Sequence, residues 1–241
     1  MLDTLADMIR RTAPVLVLSG AGMSTSSGLP DYRGPRGLWR NRRFEELASI
    51  EMWRREPEEF WEFYRMRLDA LRHATPNAGH RALAALERAG LIDCVVTQNV
   101  DGLHRQAGST TLEVHGSLAD AQCLACGSRV PMDAALTQAG EAIVPMCPCG
   151  AAYKPGVVLF GEMLPQCIDE AFARAQTCTA MLVLGTSLQV QPVASMVSVA
   201  AQQGATIAII NQGTTDADGI ADIRITGELA ETLANLAQRL V

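Results

Sequence analysis

Residues 15–33 read VLVLSGAGMSTSSGLPDYR, and this stretch decides the fold. Val15–Ser19 is a short, near-continuous apolar run, the pattern of a strand covered on both faces in a parallel sheet. It passes directly into Gly20-Ala21-Gly22. A glycine-rich turn at a strand's end lets the backbone approach a pyrophosphate and aims amides and a helix N-terminus at it. The spacing differs from the G-x-G-x-x-G of hydride-transferring dehydrogenases, because Thr25 occupies the third glycine position. Gly-Ala-Gly alone fits a ligand-free βα turn equally well. Asp31-Tyr32-Arg33 favours the ligand, since it places an acid, an aromatic ring and a guanidinium near the far half of a dinucleotide.

Outward from this turn, further apolar runs recur with helical stretches between them. Ile92–Thr97, Met181–Leu184, Ala205–Ile210 and Asp222–Thr226 read as strands. Ala78–Ala89 and Asp169–Gln176 read as helices, and in Glu228–Leu240 four leucines (229, 233, 236 and 240) share one helical face. The alternation predicts an α/β fold, a Rossmann-like doubly wound parallel sheet. Two regions break the pattern and read as inserts, one helical and one small insert that the cysteine pairs below make zinc-binding. The sheet domain is expected in three pieces, residues 1–33, 79–118 and 154–241. Residues 34–78 form the cofactor loop and a helical insert rich in Arg, Glu and Trp, and residues 119–153 form the metal-binding module.

Hydrophobic residues make up 48% of the 241, enough for a well-buried core, and the net charge of −6 disfavours non-specific nucleic-acid binding. No window reaches the roughly 18 uninterrupted apolar residues of a membrane span. The segment Met1–Arg11 mixes charges with apolar residues, unlike a secretory signal. A cytoplasmic monomer acting without nucleic acid or membrane is the expectation.

Seven cysteines suit no disulfide framework. Cys94, Cys167 and Cys178 are scattered, whereas Cys123-x-x-Cys126 and Cys147-x-Cys149 are two pairs separated by 20 residues, each followed by glycine. Glycine eases the tight turn around a metal. Four thiolates favour tetrahedral zinc with no open coordination position, hence one structural ion. Two reduced, metal-free pairs are the alternative.

Five motifs in order resemble the sirtuin family, NAD-dependent protein lysine deacylases. Residues 20–39, GAGMSTSSGLPDYRGPRGLW, resemble its cofactor-binding loop, with Met23 and Tyr32 replacing the commoner aliphatic and Phe. Residues 97–104, TQNVDGLH, are similar to its TQNxDxLH block, and Val114-His115-Gly116 to its catalytic His-Gly. Residues 154–162, KPGVVLFGE, resemble its peptide-binding segment, and Gly185-Thr186-Ser187 its second phosphate loop. The resemblance implies NAD⁺ as co-substrate, contacted by Gly20, Ala21, Gly22, Ser24, Asp31, Tyr32, Arg33, Trp39, Gln98, Asn99, Val100, Asp101, Gly185, Thr186, Ser187, Asn211, Gln212, Gly213 and Leu229. It also implies catalysis by His115, Asn99 and Asp101: the acyl oxygen attacks the ribose carbon, nicotinamide leaves, and His115 deprotonates a ribose hydroxyl. An ordinary pKa of about 6.5 suits His115 to that task. Asn99 and Asp101, two apart in an extended segment, can share a face towards the crevice, while Asp101 can also cap a helix starting near Gly102. His104 reads as structural.

The partners implied are acylated-lysine proteins or peptides. Val157, Val158, Phe160, Gly161 and Glu162 are expected substrate contacts, with Val157–Phe160 a strand whose free edge accepts an extended peptide. Tyr64 and Arg67 are i and i+3 on an expected helix, hence neighbours able to clamp a carboxylate. This Y-x-x-R resembles the subgroup that removes succinyl and malonyl groups; an amphipathic helix with a solvated Arg67 is the alternative. Arg65 points elsewhere. Pro35-Arg36 stands where that subgroup often has small residues, which would narrow the acyl pocket. Two other activities remain open on these residues: a deacetylase indifferent to acidic acyl groups, and a mono-ADP-ribosyltransferase.

Overall fold

The computed structural model describes residues 1–34 and 37–241, so the expectation for Pro35 and Arg36 lies outside the described residues. In chain order the strands are β1 (Val15–Ser19), β2 (Ile92–Thr97), β3 (Thr111–Glu113), β4 (Gly116–Cys123), β5 (Arg129–Pro131), β6 (Tyr153–Val157), β7 (Ala180–Leu184), β8 (Thr206–Ile210) and β9 (Ile223–Ile225). Among the described residues six of them form a parallel sheet in the order β3-β2-β1-β7-β8-β9. Strands β1 and β7 are buried along their whole length, as continuous apolar runs require at a sheet's centre.

Alternate residues of β1 enter two separate cores. Val15 and Val17 pack with Leu5 and Ile9 of helix Leu2–Thr12, Leu83 and Leu86 of helix Ala78–Arg88, and Leu233 and Leu236 of helix Leu229–Leu240. Leu16 and Leu18 face the opposite side, against Ala171 and Ala175 of helix Cys167–Thr177 and Met196 and Val197 of helix Ser195–Gln202. The chain runs from β1 outward to β3, leaves the sheet, and returns at β7 on the other side of β1. Connections therefore diverge between β1 and β7, and the crevice beyond their carboxyl ends is the topological switch point.

The two inserts are one body. Strands β5-β4-β6 form a small antiparallel sheet that begins at Gly116 and ends at Val157, outside the expected 119–153 limits. Phe60, Trp61 and Tyr64 of helix Pro57–Arg72 share a core with Cys123, Cys147 and Tyr153 of the small sheet. The indoles of Trp53 and Trp61 both donate to the carbonyl of Tyr153, at 3.1 and 3.0 Å. Arg65 does point elsewhere: it donates to the carbonyls of Ile143 and Ala142, bracing the helix against the module.

The Sγ atoms of Cys123, Cys126, Cys147 and Cys149 lie within 4.8 Å of one another, with Cys123–Cys149 at 3.5 Å and Cys126–Cys147 at 3.6 Å. Tetrahedral zinc with bonds of about 2.3 Å sets its sulfurs about 3.8 Å apart, so the cluster fits the ion and is too open for disulfides. Four thiolates exclude a catalytic open position, and the role is structural. Cys147→Ser is expected to lower the melting temperature by at least about 5 °C. It should also red-shift tryptophan emission as Trp53 and Trp61 lose their shared acceptor. A folded, metal-free Cys147→Ser protein with wild-type melting would contradict the structural role.

Candidate active site

The glycines of the first turn have a different immediate neighbour from the one expected. A Cβ on Gly20 would sit 2.7 Å from Thr186 Cβ, and one on Gly22 2.8 Å from Gly185 Cα. Gly185 itself has φ of 60° and a Cβ there would lie 2.6 Å from the Met23 amide. The turns after β1 and β7 are thus packed backbone to backbone, with Gly20 N donating to Leu184 O (2.9 Å) and Gly22 N to Gly185 O (2.8 Å). Nor does an α-helix follow the turn: Ala21–Ser27 is 3₁₀. The expected helix N-terminus aimed at a pyrophosphate is replaced by a tight turn that Asn77 secures, its Nδ2 donating to Met23 O (2.9 Å) and Ser27 Oγ (3.1 Å).

Beyond these turns opens a cavity of about 950 Å³, near the upper end of the roughly 300–1,000 Å³ usual for small-molecule sites. Its walls bring together most of the residues singled out from sequence: Gly20 to Gly22, Asp31 to Arg33, Trp39, Tyr64, Arg67, Gln98 to Val100, His115, Val157 to Glu162, Gly185 to Ser187, Asn211 to Gly213, and Leu229. Ser24 and Asp101 stand behind this lining. Ser24 Oγ donates to Asp101 Oδ2 (2.6 Å), and Asp101 Oδ1 accepts from Leu103 N (2.9 Å). Asp101 therefore supports the start of helix Leu103–Ala107, whose N-cap residue is Gly102, and its carboxylate is turned to these donors instead of lining the crevice beside Asn99. Burial raises its pKa above the ordinary value, opposed by the Ser24 and Leu103 hydrogen bonds.

Asn99 is buried and held on several sides. Its Nδ2 donates to Gly20 O (3.1 Å) and Ser24 Oγ (3.3 Å), and its backbone amide donates to Thr97 Oγ1 (3.0 Å). A line of polar groups supports it from below. Ser19 Oγ lies 3.0 Å from Thr97 Oγ1 and 2.8 Å from His104 Nε2, and the His104 ring packs edge-on against His80. Burial pushes His104 down to about 3 and His80 to about 4, so both stay neutral, and His104 is structural.

His115 is positioned by its own backbone and its neighbours. Val114 N donates to Thr97 O, and Val158 N donates to His115 O at 2.8 Å. The ring Nδ1 lies 3.2 Å from Gln98 O. A carbonyl can only accept, so Nδ1 carries the proton and Nε2 keeps a free lone pair. Burial lowers the His115 pKa below its ordinary value, with the Gln98 carbonyl opposing, so the neutral form prevails at cell pH.

The substrate segment departs from expectation. Only Val157 of the expected strand Val157–Phe160 belongs to β6. Val158 N is spent on His115 O, Phe160 N on Ala48 O (2.9 Å) and Leu159 N on Glu162 Oε2 (2.9 Å), so this is no open edge. The local hydrogen bonds win because they fix His115 on one side and the helical insert on the other. Gln189, Val190 and Gln191 also line the cavity and were missed. Their one sequence signal is adjacency to Gly185-Thr186-Ser187; the buried Leu188 with φ of 60° is invisible without coordinates. Arg224 was missed as well. It donates to the carbonyls of Asn211 (3.0 Å) and Gly213 (2.5 Å) and pairs with Asp218 (3.0 Å), holding the loop after β8 in place.

On the cavity's far side Tyr32 and Trp39 rings lie 4.7 Å apart and Trp39 and Phe160 5.6 Å apart, with the Arg33 guanidinium 4.2 Å over Trp39. The Trp39 indole N–H is buried without a partner among the described residues. Arg67 enters the same space, its Nη2 donating to Tyr32 Oη at 2.5 Å, and it forms no ion pair among the described residues. A glycine-turn crevice, an unused indole donor, a guanidinium without an ion pair among the described residues and a neutral histidine fit a dinucleotide and an acylated side chain.

Residues 20–192 match the Sir2 family. The chain is 41% identical over 239 residues to an NAD-dependent protein deacylase 2 of Archaeoglobus fulgidus, covering 98% of this chain and 94% of that protein. It is 43% identical over 241 residues to an NAD-dependent protein deacetylase 1 of Geobacillus kaustophilus, covering 98% of each. A Sir2 enzyme solved with a deacetylated p53 peptide and 3′-O-acetyl ADP-ribose superposes with a TM-score of 0.95 at 32% identity, covering 99% of this chain and 98% of that one. The nearly complete coverage, the parallel sheet and the four-cysteine cluster together make this chain a member of the Sir2 family, an NAD-dependent protein lysine deacylase.

Proposed function

We propose that the enzyme removes acidic acyl groups, succinyl and malonyl, from protein lysines in preference to acetyl, with His115 as base and Asn99 and Asp101 organising the cofactor site. The observation that carries the acyl preference is Arg67. It is a half-buried cation beside Tyr32 and Tyr64 with no carboxylate partner among the described residues. Holding a charge half out of water with no opposite charge beside it carries a desolvation cost. A site that keeps such a charge in a ligand cavity is built for an anion, and Arg67 presents a fork suited to a carboxylate. Burial raises the Tyr64 pKa, so its phenol remains a protonated donor.

When bound, NAD⁺ supplies an electrophilic ribose carbon once its nicotinamide departs. His115, neutral and anchored through Nδ1, offers Nε2 to take a proton from a ribose hydroxyl. Asn99 is fixed by Gly20 O and Ser24, so it presents a preset amide to the cofactor. Asp101 holds Ser24 and the first turn of helix Leu103–Ala107, which fixes the floor on which Asn99 stands. Trp39, Leu159 and Phe160 line the cavity with apolar surface against which bound substrates would exclude water. The expected products are nicotinamide, O-acyl-ADP-ribose and free lysine.

His115→Ala should lower deacylation roughly 10²–10⁴-fold with melting unchanged. A fully active His115→Ala enzyme would remove it as the base. Because the base works deprotonated and burial depresses its pKa, the acid limb of kcat should fall below the ordinary 6.5. For the acyl preference, nicotinamide release is measured with matched succinyl- and acetyl-lysine peptides. Arg67→Met should lower the succinyl-to-acetyl ratio of kcat/KM by roughly 10–100-fold, the worth of a charged hydrogen bond. An unchanged ratio would sink the acidic preference while leaving the deacylase intact.

A further inference from the structure

Tyr32 occupies a position where the resembling family usually has Phe, so its hydroxyl is the added group to account for. That hydroxyl lies 2.5 Å from Arg67 Nη2, and the Arg67 guanidinium sits 5.5 Å from the Tyr32 ring centre and 5.3 Å from that of Tyr64. The three side chains come from two elements, Tyr32 from the loop after β1 and the other two from helix Pro57–Arg72. A phenol oxygen that accepts from Arg67 still has its O–H to give. We propose that Tyr32 is a specificity-determining residue, its hydroxyl a further donor to the acyl carboxylate gripped by Arg67 and Tyr64. This rests on the acidic-acyl reading above and adds to it a residue from the cofactor loop. An acetyl methyl placed against the same hydroxyl satisfies none of its hydrogen bonds, so the group discriminates in both directions.

The test is Tyr32→Phe, compared with wild type and Arg67→Met in the paired-peptide assay, each variant first checked for wild-type melting. The readout is the succinyl-to-acetyl ratio of kcat/KM, which a general loss of activity leaves unmoved. Tyr32→Phe should lower it about tenfold, as loss of one charge-assisted hydrogen bond predicts. A ratio that is unchanged or raised in Tyr32→Phe but lowered in Arg67→Met overturns the role of Tyr32 alone. An unchanged ratio in Arg67→Met overturns the acidic-acyl reading and this role with it. Tyr64→Phe, which keeps Tyr32 intact, gives a second variant against which the size of the drop is judged.

A different observation carries a second inference. Of the chain's 20 lysines and arginines, only Lys154 is a lysine. It is 2% exposed, and its Nζ donates to Pro155 O (3.0 Å) and Val157 O (2.7 Å) and pairs with Glu162 at 3.1 Å. We infer that this chain's side chains escape the modification it removes. Acyl thioesters acylate a free amine: the new N–C amide bond forms as the C–S bond breaks, the amine loses a proton and the thiol departs. Arginine stays protonated and cannot react this way. Burial lowers the Lys154 pKa and the Glu162 pairing opposes it, so the shielding is assigned to enclosure: the amine is 2% exposed and its hydrogens are given to Pro155, Val157 and Glu162.

The folded enzyme would be incubated with succinyl-CoA or acetyl-CoA at mildly alkaline pH, then analysed by intact mass and peptide mapping. Acylation at the α-amine alone is expected, with Lys154 modified only in urea. Acyl-Lys154 in the folded enzyme, at a rate near that of a free lysine peptide, would overturn the inference.

Discussion

The contact between the turns after β1 and β7 is the constraint from which the crevice is built. Gly22 and Gly185 meet so closely that neither tolerates a methyl group without backbone movement. Once these turns are locked, the ends of the two central strands have one relative position. Gln98 then reaches Thr186 across the gap, its Nε2 donating at 3.1 Å, and Asn99 reaches back to Gly20. A glycine here serves the protein's own backbone before it serves a phosphate. Substitution at Gly22 and at Gly185 should therefore be strongly coupled, since each removes the space the other occupies.

The helix that carries Tyr64 and Arg67 into the cavity depends on a metal site that takes no part in the chemistry. Tyr64 and Arg67 stand on helix Pro57–Arg72, whose Trp61 donates to Tyr153 and whose Arg65 holds Ala142 and Ile143. Tyr153 and those two carbonyls belong to the stretch that the four cysteines fold. The four-cysteine module thus braces the helix that carries Tyr64 and Arg67, through one shared core and a few hydrogen bonds worth about 1 kcal/mol each. Loss of zinc would misplace Arg67 before it disturbed His115, which is anchored to the parallel sheet.

The parallel sheet was legible because continuous apolar runs have one comfortable home. Val15–Ser19 and Ile92–Thr97 coincide with β1 and β2, and the runs near Met181, Ala205 and Ile223 lie within a residue of β7, β8 and β9. Strand β3 is three residues, Thr111–Glu113, too short for any periodicity. The small sheet was illegible because β4 buries only some of its residues and is rich in small and polar side chains. The site was legible as a set of motifs, which the fold gathers into one cavity. What sequence withheld was direction: Asp101 turns to Ser24, Val158 gives its amide to His115, and Arg224 reaches back from β9. Those are choices among hydrogen-bond partners distant in sequence, and no local pattern encodes them.

Electrostatics explains why so costly a residue as Arg67 is placed where it is. His80, His104 and His115 are held neutral by burial, Glu162 is matched by Lys154, and Asp101 by Ser24 and a backbone amide. Against that compensated background Arg67 stands without an anionic partner among the described residues. Its hydrogen bond to Tyr32 and the aromatic faces of Phe63 and Tyr64 offset part of the desolvation cost. None of them supplies the opposite charge. On the proposed acidic-acyl reading, an arriving carboxylate would recover the remainder and the difference would appear as selectivity.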